Sequence, residues 1–406
     1  MTNYRSRRQE GVLKQSLATF PCVVLTGPRQ SGKTTLVHHL LGDSHRYLSL
    51  DEPDVRLRAQ QDPRLFLEQH TPPLIIDEVQ HVPELLPYIK ARVDRQRDRY
   101  GQYVLTGSQV FPLMAGVTES LAGRAAVHTL LSMSWGERMG VPRSAALANP
   151  SLPTLPDLSV EEVAASALRG GFPELALRSD LAATTWYGSY LQTYLERDVR
   201  QMRHVADLEE FQRFLRALAA RHGQLLNMAE LGRDLGLSLN TVKAWISVLV
   251  ASHQVLLVRS YHRNMGKRLV KMPRIYFLDG GLVCYLTGMQ TTTQWLNGPL
   301  AGPLLEGEVL AELVKLQFNR GELPALYTWR TSSGQEVDFI VESGGRPWPI
   351  EVKCAVTLKS AMTAAIRSFR VLFPDSGEGR LVYLGREAQV LADGVTALPF
   401  LALTGW

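Results

Sequence analysis

Cysteine is scarce in this chain. Cys22, Cys284 and Cys354 lie far apart and without metal-ligand spacing, so they fit reduced thiols, two of them core residues. No apolar stretch reaches the ~18 residues of a membrane span. The basic start, Met1 to Arg8, is not followed by an apolar core of signal-peptide length, so cytoplasmic residence is the default expectation. Internal repeats and low-complexity tracts are missing too. Charge is close to balance: 44 Lys and Arg against 39 Asp and Glu give +5 and a pI near 9.1, mild basicity that permits nucleic-acid binding without demanding it. With 45% hydrophobic residues the chain reads as soluble and globular, and 406 residues predict two or three domains.

What is present is sharper. Gly27-Pro28-Arg29-Gln30-Ser31-Gly32-Lys33-Thr34 spells G-x-x-x-x-G-K-T directly after the apolar run Val23-Val24-Leu25, and Thr35-Leu36 continues into a helical pattern. Two glycines let the backbone curl so that successive N–H groups face phosphate oxygens, and the following helix adds its positive end. Lys33 reaches the β- and γ-phosphates, and the Thr34 hydroxyl suits Mg²⁺. The expected ligand is ATP with magnesium.

A second apolar run, Pro73 to Ile76, ends in Asp77-Glu78, 44 positions after Lys33. Polar residues at the carboxyl tip of a buried strand stand where ligands bind. Asp77 is expected to hold Mg²⁺ through water and Glu78 to polarise the attacking water. A third strand, Tyr103 to Thr106, leads into Gly107-Ser108-Gln109, where Ser108 is placed to sense the γ-phosphate or orient the water. Arg124, after Ser120-Leu-Ala-Gly, has the permanent charge and planar fork of an arginine finger acting in trans, which would require an oligomer.

Strands are expected near 22–26, 46–50, 73–77, 102–106 and 127–131, alternating with helices; this is the α/β pattern of a parallel sheet with helices on both faces. Residues 140–160 hold Pro142, Pro150, Pro153 and Pro156 and read as a linker. Residues 159–222 are helical in pattern. Asn227 is placed to cap a helix that Gly236 ends, and Ser238 or Asn240 to cap a second helix through Leu249, a helix-turn-helix. The strand 254–259 and the segment 261–274 form its wing, with cations Arg263, Lys267, Arg268, Lys271 and Arg274. With Lys243 on the second helix, these predict DNA contact made mostly through phosphates. Trp245 is expected in the core.

Near the carboxyl end, Glu306 opens a helix expected over 305–318. Asp338 lies on a strand, twelve residues before Glu351, and Glu351 and Lys353 share one strand face. Asp338 and Glu351 on neighbouring strands predict a Mg²⁺ clamp completed by Glu306, with Lys353 positioning or acidifying a water, a set suited to phosphodiester hydrolysis.

The residues of Gly27–Thr35, Ile76–Gln80, Leu105–Gln109 and Ser120–Arg124 together resemble the bacterial and archaeal AAA-type ATPases (the AAA_14 class) that carry a C-terminal DUF4143 region. Gly170–Glu174, Asp279–Gly281, Trp329-Arg330, Glu336–Asp338 and Ile350–Lys353 continue the resemblance over nearly the whole chain. Glu306, Asp338, Glu351 and Lys353 are similar in pattern to the PD-(D/E)xK nuclease superfamily. The resemblance implies a P-loop ATPase core (1–140), a linker and helical region (141–222), a winged helix (223–285) and an α/β nuclease-like domain (286–406). The expected activity is ATP hydrolysis coupled to action on DNA, by a homo-oligomer without a membrane role. Two other readings stand beside it: an ATP-dependent signalling switch whose C-terminal region binds a protein partner, and an ATP-regulated metal-dependent nuclease.

Overall fold

The computed structural model describes residues 4–108, 117, 120–141, 157–195, 208–262, 272–331, 333–391 and 394–405. Gln109, the proline-rich 142–156 and the wing cations Arg263, Lys267, Arg268 and Lys271 lie outside the described residues. The chain divides into two compact units. The first is Met1–Ser132 with Ala251–His253 and Gln317–Glu322; the second is Met133–Val250, Gln254–Leu316 and Leu323–Trp406.

The first unit is built on a five-stranded sheet of β1 (Cys22–Thr26), β2 (Arg46–Ser49), β3 (Leu74–Asp77), β4 (Tyr103–Thr106) and β5 (Ala125–Thr129), in the order β2-β3-β4-β1-β5. All its pairings are parallel. Successive residues of β1 point to opposite faces, and both faces are apolar. Val23 and Leu25 pack with Leu36 and Val37 of the helix Lys33–Leu41. Cys22 and Val24 pack on the other face with Ile89 and Val93 of the helix Leu85–Arg95. The sheet is therefore covered on both sides, as the α/β pattern predicts.

One strand sits two residues earlier than its apolar pattern suggests. β5 spans Ala125–Thr129, an edge strand with only His128 fully buried, whereas Leu130 and Leu131 are buried beyond it. Leu130 belongs to the core cluster and donates its amide to Thr26 O at 2.8 Å. Burial beyond the strand end explains that apolar pair.

In the second unit Asn227 Oδ1 accepts the amides of Ala229 and Glu230 at 3.2 Å each and caps the helix Met228–Leu235. Gly236 closes it, and Ser238 Oγ accepts Thr241 N at 3.1 Å to open the helix Leu239–Ala251. Trp245 is buried as expected, edge-on to Phe211 and Phe214 at 5.2 and 5.1 Å. The antiparallel pair β6 (Val255–Ser260) and β7 (Arg274–Phe277) follows.

These two strands do not stand alone. β6 pairs in parallel with β8 (Leu326–Arg330), so the hairpin extends one sheet with β9 (Glu336–Ser343), β10 (Arg346–Lys353), β11 (Gly379–Tyr383), β12 (Gln389–Leu391) and β13 (Val395–Pro399). The order is β12-β13-β11-β10-β9-β8-β6-β7. The helix carrying Glu306 spans Ala301–Phe318, one turn longer at its start than expected. Pro303 falls in its first turn, where the missing N–H costs nothing.

Candidate functional site

Because the strands of the first unit are parallel, the phosphate loop, Asp77 and Ser108 all emerge at one edge of the sheet, from β1, β3 and β4. The loop geometry demands its glycines. Gly27 has φ 139°, and a Cβ there would stand 2.1 Å from Leu130 O; Gly32, at φ 92°, opens the helix Lys33–Leu41. Lys33 is 5% exposed, and its Nζ donates to Gly27 O at 3.0 Å and Pro28 O at 2.9 Å. Ser31 is buried, and its Oγ has no hydrogen-bond partner among the described residues. Arg29 and Thr34 are partly buried, Gln30 and Thr35 exposed.

Asp77, at the end of β3, is held from two neighbouring strands and a helix. Thr34 Oγ1 donates to its Oδ2 at 3.0 Å, Tyr47 of β2 donates its hydroxyl to the same oxygen at 2.6 Å, and Thr106 of β4 donates to Oδ1. A buried carboxylate beside a threonine hydroxyl is an oxygen donor set that fits Mg²⁺, whose remaining positions waters and phosphate oxygens would fill. Burial and the Asp77 carboxylate raise the Tyr47 hydroxyl above its ordinary pKa, so it stays a donor. Replacing Thr106 with Val keeps the shape and removes a donor from a buried charged acceptor. Urea denaturation should show a loss of about 2 kcal/mol; an unchanged midpoint would mean that Asp77 Oδ1 is satisfied elsewhere.

Glu78 takes the left-handed conformation, φ 55° and ψ 44°, at the end of β3. For a non-glycine residue this costs on the order of 1 kcal/mol and is found where function needs a particular orientation. Its Oε2 accepts Ser108 Oγ at 3.0 Å and a bond from Gln80 Nε2. Ser108, expected to face the γ-phosphate, is thus a partner of the catalytic candidate itself.

Other neighbours of the loop were not legible in the sequence. Arg7, 6% exposed, donates to Ser31 O at 2.7 Å and Leu131 O at 2.8 Å. Gln9 donates to Thr129 O at 3.0 Å and Phe318 O at 3.1 Å. His253 (φ 54°) packs edge-on to Phe318 at 6.0 Å. Burial, with the charge of Lys33 added, pushes its pKa down to about 4, so it is neutral beside the loop. Only folding brings residues 7, 33, 253 and 318 into one unit.

Arg124 precedes β5, whose Ala125 pairs with Cys22, at the opposite end of the sheet from Gly27. Its fork is engaged by Asp94, at 2.6 Å from Nε and 3.0 Å from Nη2, and Nη1 donates to Ala122 O at 2.9 Å. Lys243 is exposed on the helix Leu239–Ala251. Arg274, read from sequence as a wing cation for phosphates, is instead drawn into the C-terminal acids: it pairs with Glu336 and lies 3.8 Å from Glu306 Oε2.

Those acids meet as the strand spacing predicts. β10 pairs with β9 as far as Ile350–Phe339, which sets Glu351 opposite Asp338. There the ladder stops, and Asp338 Oδ2 accepts the next free amide, Val352 N, at 2.8 Å. Lys353 Nζ donates to Glu351 Oε1 at 2.5 Å, while Glu351 Oε2 is buried without a hydrogen-bond partner among the described residues. Tyr276 of β7 donates to Glu306 Oε2 at 3.0 Å. Burial, then the Asp338 charge, holds Glu306 and Glu351 well above the usual carboxylate range, and burial raises Asp338. Burial would lower Lys353, but Glu351, Asp338 and Glu306 outweigh it and raise its pKa.

The expected metal clamp is not assembled. Among the described residues no three His, Cys, Asp or Glu side chains are set to hold a metal ion. Oxygens of Glu306 and Glu351 are turned to Tyr276, Arg274 and Lys353, so this arrangement does not fit a bound Mg²⁺. Among the described residues no helix is long and apolar enough to cross a membrane.

Comparison with known proteins matches these regions. The AAA domain family matches residues 19–139, and two domains of unknown function match 160–293 (DUF8612) and 301–403 (DUF4143). The chain is 33% identical over 396 residues to uncharacterized protein Rv2008c of Mycobacterium tuberculosis and to uncharacterized protein Mb2031c of Mycobacterium bovis, covering 95% of this chain and 82% of each. Among solved structures, the Walker-type ATPase PABY2304 of Pyrococcus abyssi aligns with 16% identity over 70% of this chain and 96% of its own, at a TM-score of 0.41.

Proposed function

The chain belongs to the family of AAA-domain proteins that carry a C-terminal DUF4143 region, and on that premise we propose that it binds and hydrolyses Mg²⁺-ATP to act on DNA. The observation that carries the ATPase reading is the convergence of Lys33, Thr34, Asp77 and Glu78 at one edge of a parallel sheet. Lys33 would leave the loop carbonyls for the β- and γ-phosphates. Thr34 and Asp77 would hold the metal, which supplies charge neutralisation at the transferring phosphoryl group. Glu78, oriented by Ser108 and Gln80, would take the proton of the attacking water.

Support for DNA comes from the capped helix pair followed by a hairpin, from exposed Lys243 and from the cationic sequence between β6 and β7. Contacts of this kind act mostly on phosphates. Arg124, at the far end of the sheet from its own loop, would serve the nucleotide of a neighbouring copy in a homo-oligomer once released from Asp94.

The test is phosphate release with and without linear and forked DNA, at low and at high salt. DNA is expected to raise turnover and to be retained at low salt, both effects fading as salt rises. Failure of both at low salt defeats the DNA assignment; slow, DNA-independent turnover with tight nucleotide binding points to the signalling switch.

A further inference from the structure

The second unit holds a charge arrangement that neither strand spacing nor family likeness describes. Glu306, Asp338 and Glu351 come from one helix and two adjacent strands, the acids from which the sequence predicts a divalent-ion clamp. Two cations already sit among them. Lys353 lies on the same strand as Glu351 and bonds its Oε1. Arg274 arrives from β7, two strands beyond β8 across the sheet order, and its fork spans Glu336 and Glu306. The Arg274 and Glu306 side chains are only 15% and 18% exposed, so their charges interact with little screening. Among the described residues Glu351 Oε2 is buried with no hydrogen-bond partner, although Lys353 bonds the other oxygen of the same carboxylate. An uncompensated buried carboxylate oxygen is costly, and a second cation ligated there would remove that cost.

We propose that Arg274 is a built-in counter-cation of this acid cluster, and that its pairing with Glu306 and Glu336 excludes a divalent ion from Glu306, Asp338 and Glu351. Ion and guanidinium compete for the Glu306 carboxylate and repel each other in a half-buried space, so one leaves when the other binds. A phosphodiester is the chemistry that draws a guanidinium off a carboxylate, because its oxygens match the same fork. The metal site is then loaded only when an anionic backbone engages Arg274. The last step rests on the DNA reading above; the exclusion of the ion by Arg274 does not.

The experiment is calorimetric titration of Mn²⁺ into the full-length, nucleotide-free protein. Arg274→Gln is expected to bind one Mn²⁺ at least about tenfold more tightly than the wild type, because a full positive charge beside the ion has gone. Arg274→Lys, which keeps the charge, should stay at the wild-type level. Adding Asp338→Asn to the Gln variant should abolish the gain. In EDTA the Gln variant should melt below the wild type and regain its Tm in Mn²⁺, a recovery that lost packing alone would not produce. Should Arg274→Gln not fold, Arg274→Met fills the volume of the stem and carries the same expectation. Mn²⁺ affinity no higher than wild type in the neutral variants, or a gain that survives Asp338→Asn, overturns the proposal. A saturating duplex of about 20 base pairs, corrected for its own Mn²⁺ uptake, should tighten binding to the wild type. If the neutral variants gain affinity and the duplex does nothing, ion exclusion stands and the phosphodiester trigger fails.

Discussion

A Glu78→Gln protein is expected to bind ATP as the wild type does and to release phosphate at least about 100-fold more slowly, the usual worth of a positioned general base. The change removes one acidic oxygen and little else. The substituted glutamine can keep the left-handed backbone that Glu78 already tolerates. Ser108 and Gln80 can still donate to its amide oxygen, since both bonds reach the same Oε2 of Glu78. Folding and nucleotide affinity should therefore hold while proton acceptance is lost. Single-turnover phosphate release, run beside an equilibrium binding titration, reads both. Normal turnover by this variant would remove Glu78 from the role of base.

Lys33→Ala acts earlier, on binding. The ammonium of Lys33 rests on two loop carbonyls at 3.0 and 2.9 Å, inside the curve proposed to receive phosphates. Bound nucleotide exchanges those neutral acceptors for charged ones, and hydrogen bonds to charged groups are worth roughly twice as much. Loss of Lys33 should weaken ATP binding by about 3 kcal/mol, or roughly 100-fold in Kd. Stability should fall by only about 1 kcal/mol, since the two charge-assisted bonds that are lost come from a buried ammonium whose desolvation cost is lost with them. Titration with a fluorescent ATP analogue and a melting curve separate the two effects. An unchanged Kd would mean that the loop does not cradle phosphates, and the proposed ATPase would fall with it.

Much of the candidate nucleotide site was legible because its chemistry is contiguous. A phosphate loop is a local backbone curl, so its glycines, lysine and threonine must lie within one short stretch. Asp77 and Glu78 were legible because an apolar run ending in acids describes a parallel strand with its ligand end. The same reasoning put Asp338 and Glu351 on neighbouring strands, and the β9–β10 register then sets them opposite each other. Tyr47 and Thr106 escaped because each belongs to another strand, and nothing in their own neighbourhood signals that Asp77 is the partner. The ion pairs of Arg274 escaped for the same reason. In sequence it continues a basic stretch; in space β7 carries it to Glu336 and Glu306.

The order of residues by itself determined the parallel α/β core, the phosphate loop with its two acids, the capped helix pair and the acid-bearing strands, because each depends on interactions within a few residues or on a simple period. Tertiary structure alone decided which hydroxyls hold Asp77, that Ser108 and Gln80 hold Glu78, that His253 comes to lie beside the loop, and that a guanidinium sits among the C-terminal acids. Those choices depend on contacts between residues far apart in the chain, and they are settled by sheet order and packing rather than by any local preference.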